Sequence, residues 1–134
     1  MSNQEPDQGE VRYTEDHEWV RAGAGPAQDS VRIGITSYAQ EQLGDVVFVD
    51  LPQTGQSLAA GEVFGEVEST KSVSELFMPL AGEIVAVNDT ASESPELLNS
   101  DPYGDGWLIE VAVESEQSFA DLLTEQAYQD LIIE

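Results

Sequence analysis

The chain has 134 residues, 40% of them hydrophobic, which is enough for one globular domain with a modest core. Four basic residues stand against 27 acidic ones, and the formal net charge of −23 excludes the basic surface that nucleic-acid binding needs. The sequence contains no cysteine, so disulfides and thiolate metal sites are excluded. No apolar run approaches the length of a membrane span.

The acidic residues are spread along the whole chain rather than gathered in one tail. Charges of this density repel one another over a screening length of roughly 10 Å at 0.1 M salt, which shortens to ~3 Å at 1 M. The charge therefore predicts a halophilic source, and the alternative is a generic acidic protein that its charge keeps soluble.

Residues 1–10 are polar and acidic, without the basic start and apolar centre of a secretory signal. The sequence therefore predicts a disordered acidic tail over residues 1–10, a single domain over residues 11–134, and a cytoplasmic protein.

Segments that alternate apolar and polar residues, as half-buried strands do, follow one another through most of the chain. They comprise two short segments within residues 11–22, then residues 31–35, 46–51, 63–67, 73–78, 83–87 and 107–113. Residues 23–29 have the composition of a loop. Short strands separated by turn signals predict a mainly β fold, a small sandwich or barrel with a few short helices.

The first predicted helix follows the strand over residues 31–35. Ser37 and Gln40 have the spacing of a capping box, in which the serine would be the N-cap. Leu43 would be the apolar end of this helix, and Gly44 can adopt the left-handed conformation that stops it.

Two further helices are predicted from their starting signals. Ser94 followed by a proline has the order of an N-cap and a first-turn proline, which predicts one helical turn over residues 95–98. Ser118 with Asp121 predicts the start of a helical C-terminus that extends through Leu131.

One internal repeat places residues 46–51 over residues 73–78. The turn after the first copy contains Pro52 and Gly55, and the turn after the second contains Pro79 and Gly82, an offset of 82 − 55 = 27 residues. Two copies of strand, proline turn and strand predict a sandwich of pseudo-two-fold halves, each covering the apolar face of the other.

Lys71 is the only lysine and falls in the connection between the two copies. Strand-like alternation over residues 62–68 and 72–77 predicts that it lies at or near the tip of a hairpin. Most turn lysines are only solvated charges. A composition that keeps a single lysine at this place favours a function, because an amine on a flexible stem at a protruding tip suits an amide-linked swinging arm.

The residues around this lysine, Glu68-Ser69-Thr70-Lys71-Ser72-Val73-Ser74, resemble the lipoylation motif of the glycine cleavage H-protein family. The resemblance runs from about Val11 to the C-terminus. It rests on motifs in family order: His17-Glu18-Trp19, Gly34-Ile35-Thr36, Tyr38-Ala39-Gln40, Leu43-Gly44-Asp45-Val46-Val47, Leu51-Pro52, Pro79, Gly82, Asn88, Pro95, Leu98-Asn99, Pro102-Tyr103 and Gly106-Trp107.

The resemblance implies a barrel-sandwich hybrid, the fold of lipoyl and biotinyl domains, and a carrier that is not itself an enzyme. It implies lipoate as the cofactor, joined to Lys71 as an amide by a lipoate ligase or a lipoyl/octanoyl transferase. The P-protein would load an aminomethyl group from glycine, the T-protein would pass on the one-carbon unit, and the L-protein would reoxidise the dithiol. We expect a monomer without a nucleic-acid or membrane partner.

The resemblance also implies which residues hold the loaded arm. An S-aminomethyl group is labile while its amine is neutral, and nearby carboxylates favour the protonated form. By motif position the carboxylates are Glu18, Glu75 and Asp16. Family members often carry a hydroxyl residue in place of Asp16 and aspartate in place of Glu75. With 27 acidic residues, any one carboxylate near Lys71 is commonly part of the solvated surface.

Other readings remain open on the sequence. A biotin carboxyl carrier also modifies a hairpin lysine, but biotinyl domains flank it with methionines, whereas Thr70 and Ser72 stand here. Further alternatives are a lipoyl donor or lipoate-binding carrier in another pathway, and an unmodified β-sandwich that acts as an interaction module.

His17, the lone histidine, has no nucleophile or metal-ligand cluster beside it, so we expect packing or a hydrogen bond. The aromatic residues Trp19, Tyr103 and Trp107 are expected in the core and in the cleft wall.

Overall fold

The computed structural model describes residues 10–22, 30–113 and 119–132. Its strands are β1 (Val11–Tyr13), β2 (Glu18–Ala22), β3 (Ser30–Ile35), β4 (Val46–Asp50), β5 (Ser57–Leu58), β6 (Val63–Ser69), β7 (Val73–Phe77), β8 (Gly82–Val87) and β9 (Ile109–Val113). Its helices are α1 (Ser37–Leu43), α2 (Asp89–Glu93), α3 (Leu97–Ser100) and α4 (Glu125–Ile132). The predicted tail up to residue 9, the loop over residues 23–29 and the Ser118 cap lie outside the described residues.

The strands form two antiparallel sheets, which confirms the prediction of a mainly β sandwich with few short helices. The larger sheet has the order β1-β2-β3-β9-β8-β5, and the smaller one has the order β4-β6-β7. Both sheets contribute to one buried apolar core, for example Ile33 and Val111 from the larger sheet and Val49 and Val67 from the smaller. Burial of such side chains is the main favourable contribution to folding.

The 27-residue repeat corresponds to real elements, because β4 and β7 are its two first strands. Both pair with β6 and form the two edges of the smaller sheet. Each then leads through its proline turn into the larger sheet, β4 into β5 and β7 into β8. The first proline turn contacts the second copy there, since Gly55 N–H donates to the carbonyl of Ile84 in β8 at 2.8 Å. Each copy therefore crosses from one layer of the sandwich to the other.

Helix α1 lies where the sequence predicts it, but its N-cap is Thr36 and not Ser37. The Thr36 hydroxyl accepts a hydrogen bond from Ala39 N–H at 3.2 Å, while Ser37 is already the first helical residue. The expected capping box is therefore wrong, and Gln40 instead accepts a hydrogen bond from the Asn99 side chain at 2.8 Å. The helix stops at Gly44, as predicted, and the φ of +84° there favours glycine, but the ψ of −153° lies outside the left-handed helical conformation that was expected.

Two other helix starts differ from the prediction. The helical turn expected over residues 95–98 is α3 at Leu97–Ser100, because Ser94 ends α2, with its N–H bonded to the Thr90 carbonyl at 2.8 Å, instead of starting the next helix. Residues 119 and 120 are helical, as the prediction of a helical C-terminus expects, but residues 121–124 interrupt the helix. Helix α4 begins at Glu125, where the Thr124 hydroxyl accepts a hydrogen bond from Ala127 N–H at 3.2 Å. A threonine cap nearer the helix thus sets its start.

Candidate functional site

Lys71 lies at the apex of the hairpin between β6 and β7, with its side chain exposed. The Ser69 hydroxyl accepts hydrogen bonds from the backbone N–H groups of Lys71 and Ser72, both at 3.1 Å. Ser69 N–H donates to the Ser72 carbonyl at 2.8 Å and closes the turn. The hydroxyl group of Ser69 therefore stabilises a tight loop that exposes the only lysine to solvent.

The hairpin rests against the turn between α1 and β4. Thr70 N–H donates to the Asp45 carbonyl at 3.1 Å, which ties the loop to the residue before β4. A side chain at Gly44 would place its Cβ 3.2 Å from Cε of Lys71. The positive φ at Gly44 therefore favours glycine, and a Cβ there would also displace the flexible lysine stem slightly.

A cleft of about 400 Å³ begins beside this hairpin. Its walls come from the start of β2, from α1 and from β7. The lining residues are Asp16, His17, Glu18, Ile35, Tyr38, Ala39, Gln42, Leu43, Ser72, Ser74, Glu75 and Leu76. The structure thus brings all three predicted carboxylates to one cleft, which extends to the residue after Lys71.

Glu18 is the buried carboxyl group of the cleft, with only 2% of the residue exposed. Its carboxyl oxygens accept hydrogen bonds from Phe77 N–H at 3.0 Å and from the Thr14 hydroxyl at 3.5 Å. Burial raises the pKa of Glu18 to about 8, the Phe77 N–H opposes that rise, and the nearby Asp16 charge adds to it. At neutral pH this carboxyl group therefore mostly holds its proton.

The other two predicted carboxylates lie at the surface. Asp16 is exposed in the turn between β1 and β2, where its N–H donates to the Thr14 hydroxyl at 3.2 Å. Glu75 is exposed on β7 and stands opposite Glu66 of β6. The cleft therefore has one buried carboxyl group and two solvated ones, which would meet a cation in different environments.

His17 is fixed in the cleft wall by side chains that the sequence analysis did not identify. Its φ of +68° is left-handed, and its Nδ1 lies 2.9 Å from the Tyr128 hydroxyl, which lies 2.8 Å from that of Thr36. The Tyr38 ring packs against the imidazole at 4.7 Å between centroids. Burial lowers the pKa of His17, so its ring stays neutral at neutral pH. The expectation of packing and a hydrogen bond is confirmed.

The expected aromatic wall is only partly correct. Trp19 is fully buried, packs against Gly34 and donates to the Pro102 carbonyl at 2.9 Å. Tyr103 and Trp107 likewise do not line this cleft, whose aromatic members are His17 and Tyr38. One wall of the cleft comes from α1, because residues of that helix line it together with residues of β7. This is a tertiary relation that local spacing does not contain.

Within the described ranges, no set of three or more histidine, cysteine, aspartate or glutamate side chains is placed to hold a metal ion. In the same ranges no helix is long and apolar enough to span a membrane.

Comparison with known proteins shows the family to which the chain belongs. The family model described as "Glycine cleavage H-protein" matches residues 11–134. The "Probable glycine cleavage system H protein" of Haloarcula marismortui is 51% identical over 98% of this chain and 99% of its own length. The "Glycine cleavage system H protein" of Mycobacterium avium is 51% identical over the full length of both chains.

A crystal structure of a glycine cleavage system H protein from Mycobacterium marinum superimposes with a TM-score of 0.80 at 48% identity. The match covers 91% of this chain and 95% of that one. Sequence and fold therefore agree over nearly the whole length. The chain belongs to the glycine cleavage H-protein family, and it is a lipoyl-carrying shuttle subunit of the glycine cleavage system rather than a catalyst.

Proposed function

We propose that lipoate is attached as an amide to Nζ of Lys71 and that the cleft between β2, α1 and β7 receives the loaded arm. The observation that carries this proposal is the exposed amine at a hairpin apex directly beside the cleft. When bound, lipoate supplies a dithiolane that takes up the one-carbon unit together with electrons.

The residues present fit such a group. The two neighbours of Lys71 are the small residues Thr70 and Ser72, so an acylating enzyme can approach the amine from either side. A volume of about 400 Å³ lies within the range of small-ligand sites. Tyr38 and Ala39, which are only partly buried, offer apolar surface to an alkyl chain, and the carboxyl groups offer partners for an amine.

Glu18, Glu75 and Asp16 would act on the aminomethyl cargo by holding a proton on its amine. A protonated amine has no lone pair with which to expel the thiolate, so the cargo lasts longer. An ammonium group beside Glu18 lowers the pKa of that carboxyl group, because the opposite charge offsets the cost of burial. Glu18 then becomes the counter-ion in a site shielded from water, where the attraction is strongest.

As a subunit of the glycine cleavage system the chain works with the P-, T- and L-proteins. We further propose that a lipoate ligase or a lipoyl/octanoyl transferase modifies it, and that it is a cytoplasmic monomer. We also propose that residues 11–134 form its single domain and residues 1–10 an acidic tail. The span of the family match, which begins at residue 11, supports this division.

The proposed halophilic source rests on the charge of −23 and on the relative from Haloarcula marismortui. We expect the melting temperature to rise by about 10 °C or more between 0.1 and 2 M KCl, because added ions screen repulsion among the carboxylates. Differential scanning calorimetry across this range measures the effect. A melting temperature that stays constant or falls would contradict a halophilic origin.

Glu75→Gln tests the proposed cleft. We expect the aminomethyl-loaded carrier to release formaldehyde about three- to ten-fold faster at pH 7, because one exposed charge that favours the protonated amine is lost. Glu83→Gln is the matched control, since Glu83 is also an exposed glutamate on a strand but lies outside the cleft. Equal release rates in both variants would remove Glu75 from the site.

A further inference from the structure

The outer face of the smaller sheet carries exposed apolar side chains on both sides of Glu68, beside the hairpin. Phe48 of β4 pairs with Glu68 of β6, and Glu68 pairs with Val73 of β7, so these three side chains share one face. A register shift between Val46 and Phe48 marks a bulge at Val47. We call Val47, Phe48, Glu68 and Val73 the apical patch.

The bulge explains why two consecutive apolar residues face solvent. Val46 and Val49 are buried, whereas Val47 and Phe48 between them are 53% and 50% exposed. An extra residue in one strand breaks the strict alternation of faces and redirects a side chain. Val73 is 56% exposed on the other edge of the row. A surface otherwise dominated by acids thus exposes apolar side chains together at one place, which is typical of an interaction site.

The apical patch is continuous with the lysine hairpin. Val73 follows Lys71 by two residues, and the Thr70–Asp45 hydrogen bond joins the loop to the residue before β4. A lysine side chain reaches roughly 6 Å beyond its backbone. An enzyme that acylates the unmodified amine must therefore contact the hairpin and its immediate surroundings. Enzymes that act on the finished arm meet a group about twice as long and need no such approach.

We propose that the apical patch is the docking surface for the enzyme that acylates Lys71; this inference rests on the proposed attachment at that residue. The partner surface would be apolar opposite Phe48 and Val73. Its rim would be basic, because the next row of the same face consists of carboxylates, Asp50, Glu66 and Glu75.

The reaction served by this contact is acyl transfer from an acyl adenylate. The ammonium group of Lys71 loses a proton, and Nζ attacks the acyl carbonyl carbon. The N–C bond of the amide forms while the C–O bond to the phosphate breaks, and AMP leaves with that electron pair. The nitrogen then releases its second proton to solvent. The apical patch takes no part in these bonds; it positions the hairpin for them.

The test measures lipoyl incorporation into the full chain by a purified lipoate ligase with lipoate and Mg-ATP, followed by intact mass. We expect Val73→Thr and Phe48→Thr each to lower kcat/KM for the carrier by about 10-fold, as loss of an apolar anchor residue does at other interfaces. Val85→Thr is the matched control, because Val85 is 41% exposed on β8 of the other sheet. It should change the rate less than two-fold.

Each outcome decides the proposal. Melting temperatures within about 2 °C of the parent chain would show that Val73→Thr and Phe48→Thr act on docking and not on folding. Unchanged acylation in both variants overturns the docking surface while leaving Lys71 as the acceptor. A slowed reaction with the P-protein after normal acylation also overturns it, because the patch then serves a different partner. Absence of incorporation into the parent chain overturns both this inference and the attachment at Lys71.

Discussion

Lys71→Arg is expected to abolish carriage completely while leaving the fold intact. Arginine keeps the positive charge at the exposed apex, but its guanidinium stays protonated and cannot accept an acyl group. Because Lys71 is the only lysine, no other side-chain amine can replace it. Intact mass after incubation with a lipoate ligase should show no adduct. Exchange of glycine with labelled bicarbonate by the P-protein should fall to the level without carrier.

A second lysine placed on a strand provides the control for position. Arg12 lies in β1 and forms an ion pair with Glu10 at 2.7 Å, so Arg12→Lys keeps the charge in a regular element away from the hairpin. Added to Lys71→Arg, it should not restore modification, because a strand does not present the amine at an apex. Residual exchange in Lys71→Arg alone would mean that the attachment residue has been misidentified.

Glu18→Gln should have a large and pH-dependent effect on stability. Unfolding lowers the pKa of Glu18 from about 8 to its ordinary value of 4.5, so the folded chain keeps a proton that the unfolded chain loses between those pH values. Folding stability of the parent chain therefore falls, through this group, as pH rises from about 4.5 to about 8, and is level above that. Glutamine does not titrate, yet its amide oxygen can still accept the Phe77 N–H.

We therefore expect Glu18→Gln to gain up to about 5 kcal/mol over the parent chain between pH 4.5 and pH 8, measured by urea unfolding at each pH. Glu83→Gln should follow the parent chain, because Glu83 is exposed and outside the cleft. A free energy of unfolding in Glu18→Gln that changes with pH as the parent's does would contradict the burial of an ionisable group at this position.

Glu18→Gln also separates the effect of this carboxyl group on stability from its effect on function. Lipoylation of Glu18→Gln should be unchanged, since the hairpin is untouched. The aminomethyl-loaded form should release formaldehyde about 10-fold faster or more at pH 7, because a charge-assisted hydrogen bond to the amine is replaced by a neutral one. A variant that is more stable at pH 8 and worse at protecting its cargo would show that the buried carboxyl group is retained for function. An unchanged release rate would exclude it from the proposed role.

The hairpin and the layers could be predicted because their signals are local. The strands on both sides of Lys71 alternate with period two, and the repeat marks β4 and β7 as equivalent without any knowledge of the sheets. The ends of helices are predicted less reliably than the strands, because local signals alone do not choose between neighbouring capping residues. Ser37 and Thr36 are both good N-cap residues, and which one caps depends on the backbone that leaves β3.

The interior of the cleft could not be predicted because it depends on contacts across the sandwich. Motif position marks Glu18, Glu75 and Asp16 alike, and nothing in the sequence shows that only Glu18 is buried, since its burial follows from β2 packing beside Phe77 of β7. Tyr128 reaches His17 from α4, 111 residues away along the chain. The exposure of Phe48 could likewise not be predicted, because this residue stands in a β-forming run and only the bulge turns its side chain outward.

Peptide mapping of the native protein by tandem mass spectrometry tests the central claim most directly. We expect one lipoyl group per chain, on the peptide that contains Lys71 and with fragment ions that assign it to that side chain. A native chain with an unmodified Lys71, or with biotin on it, would contradict the account.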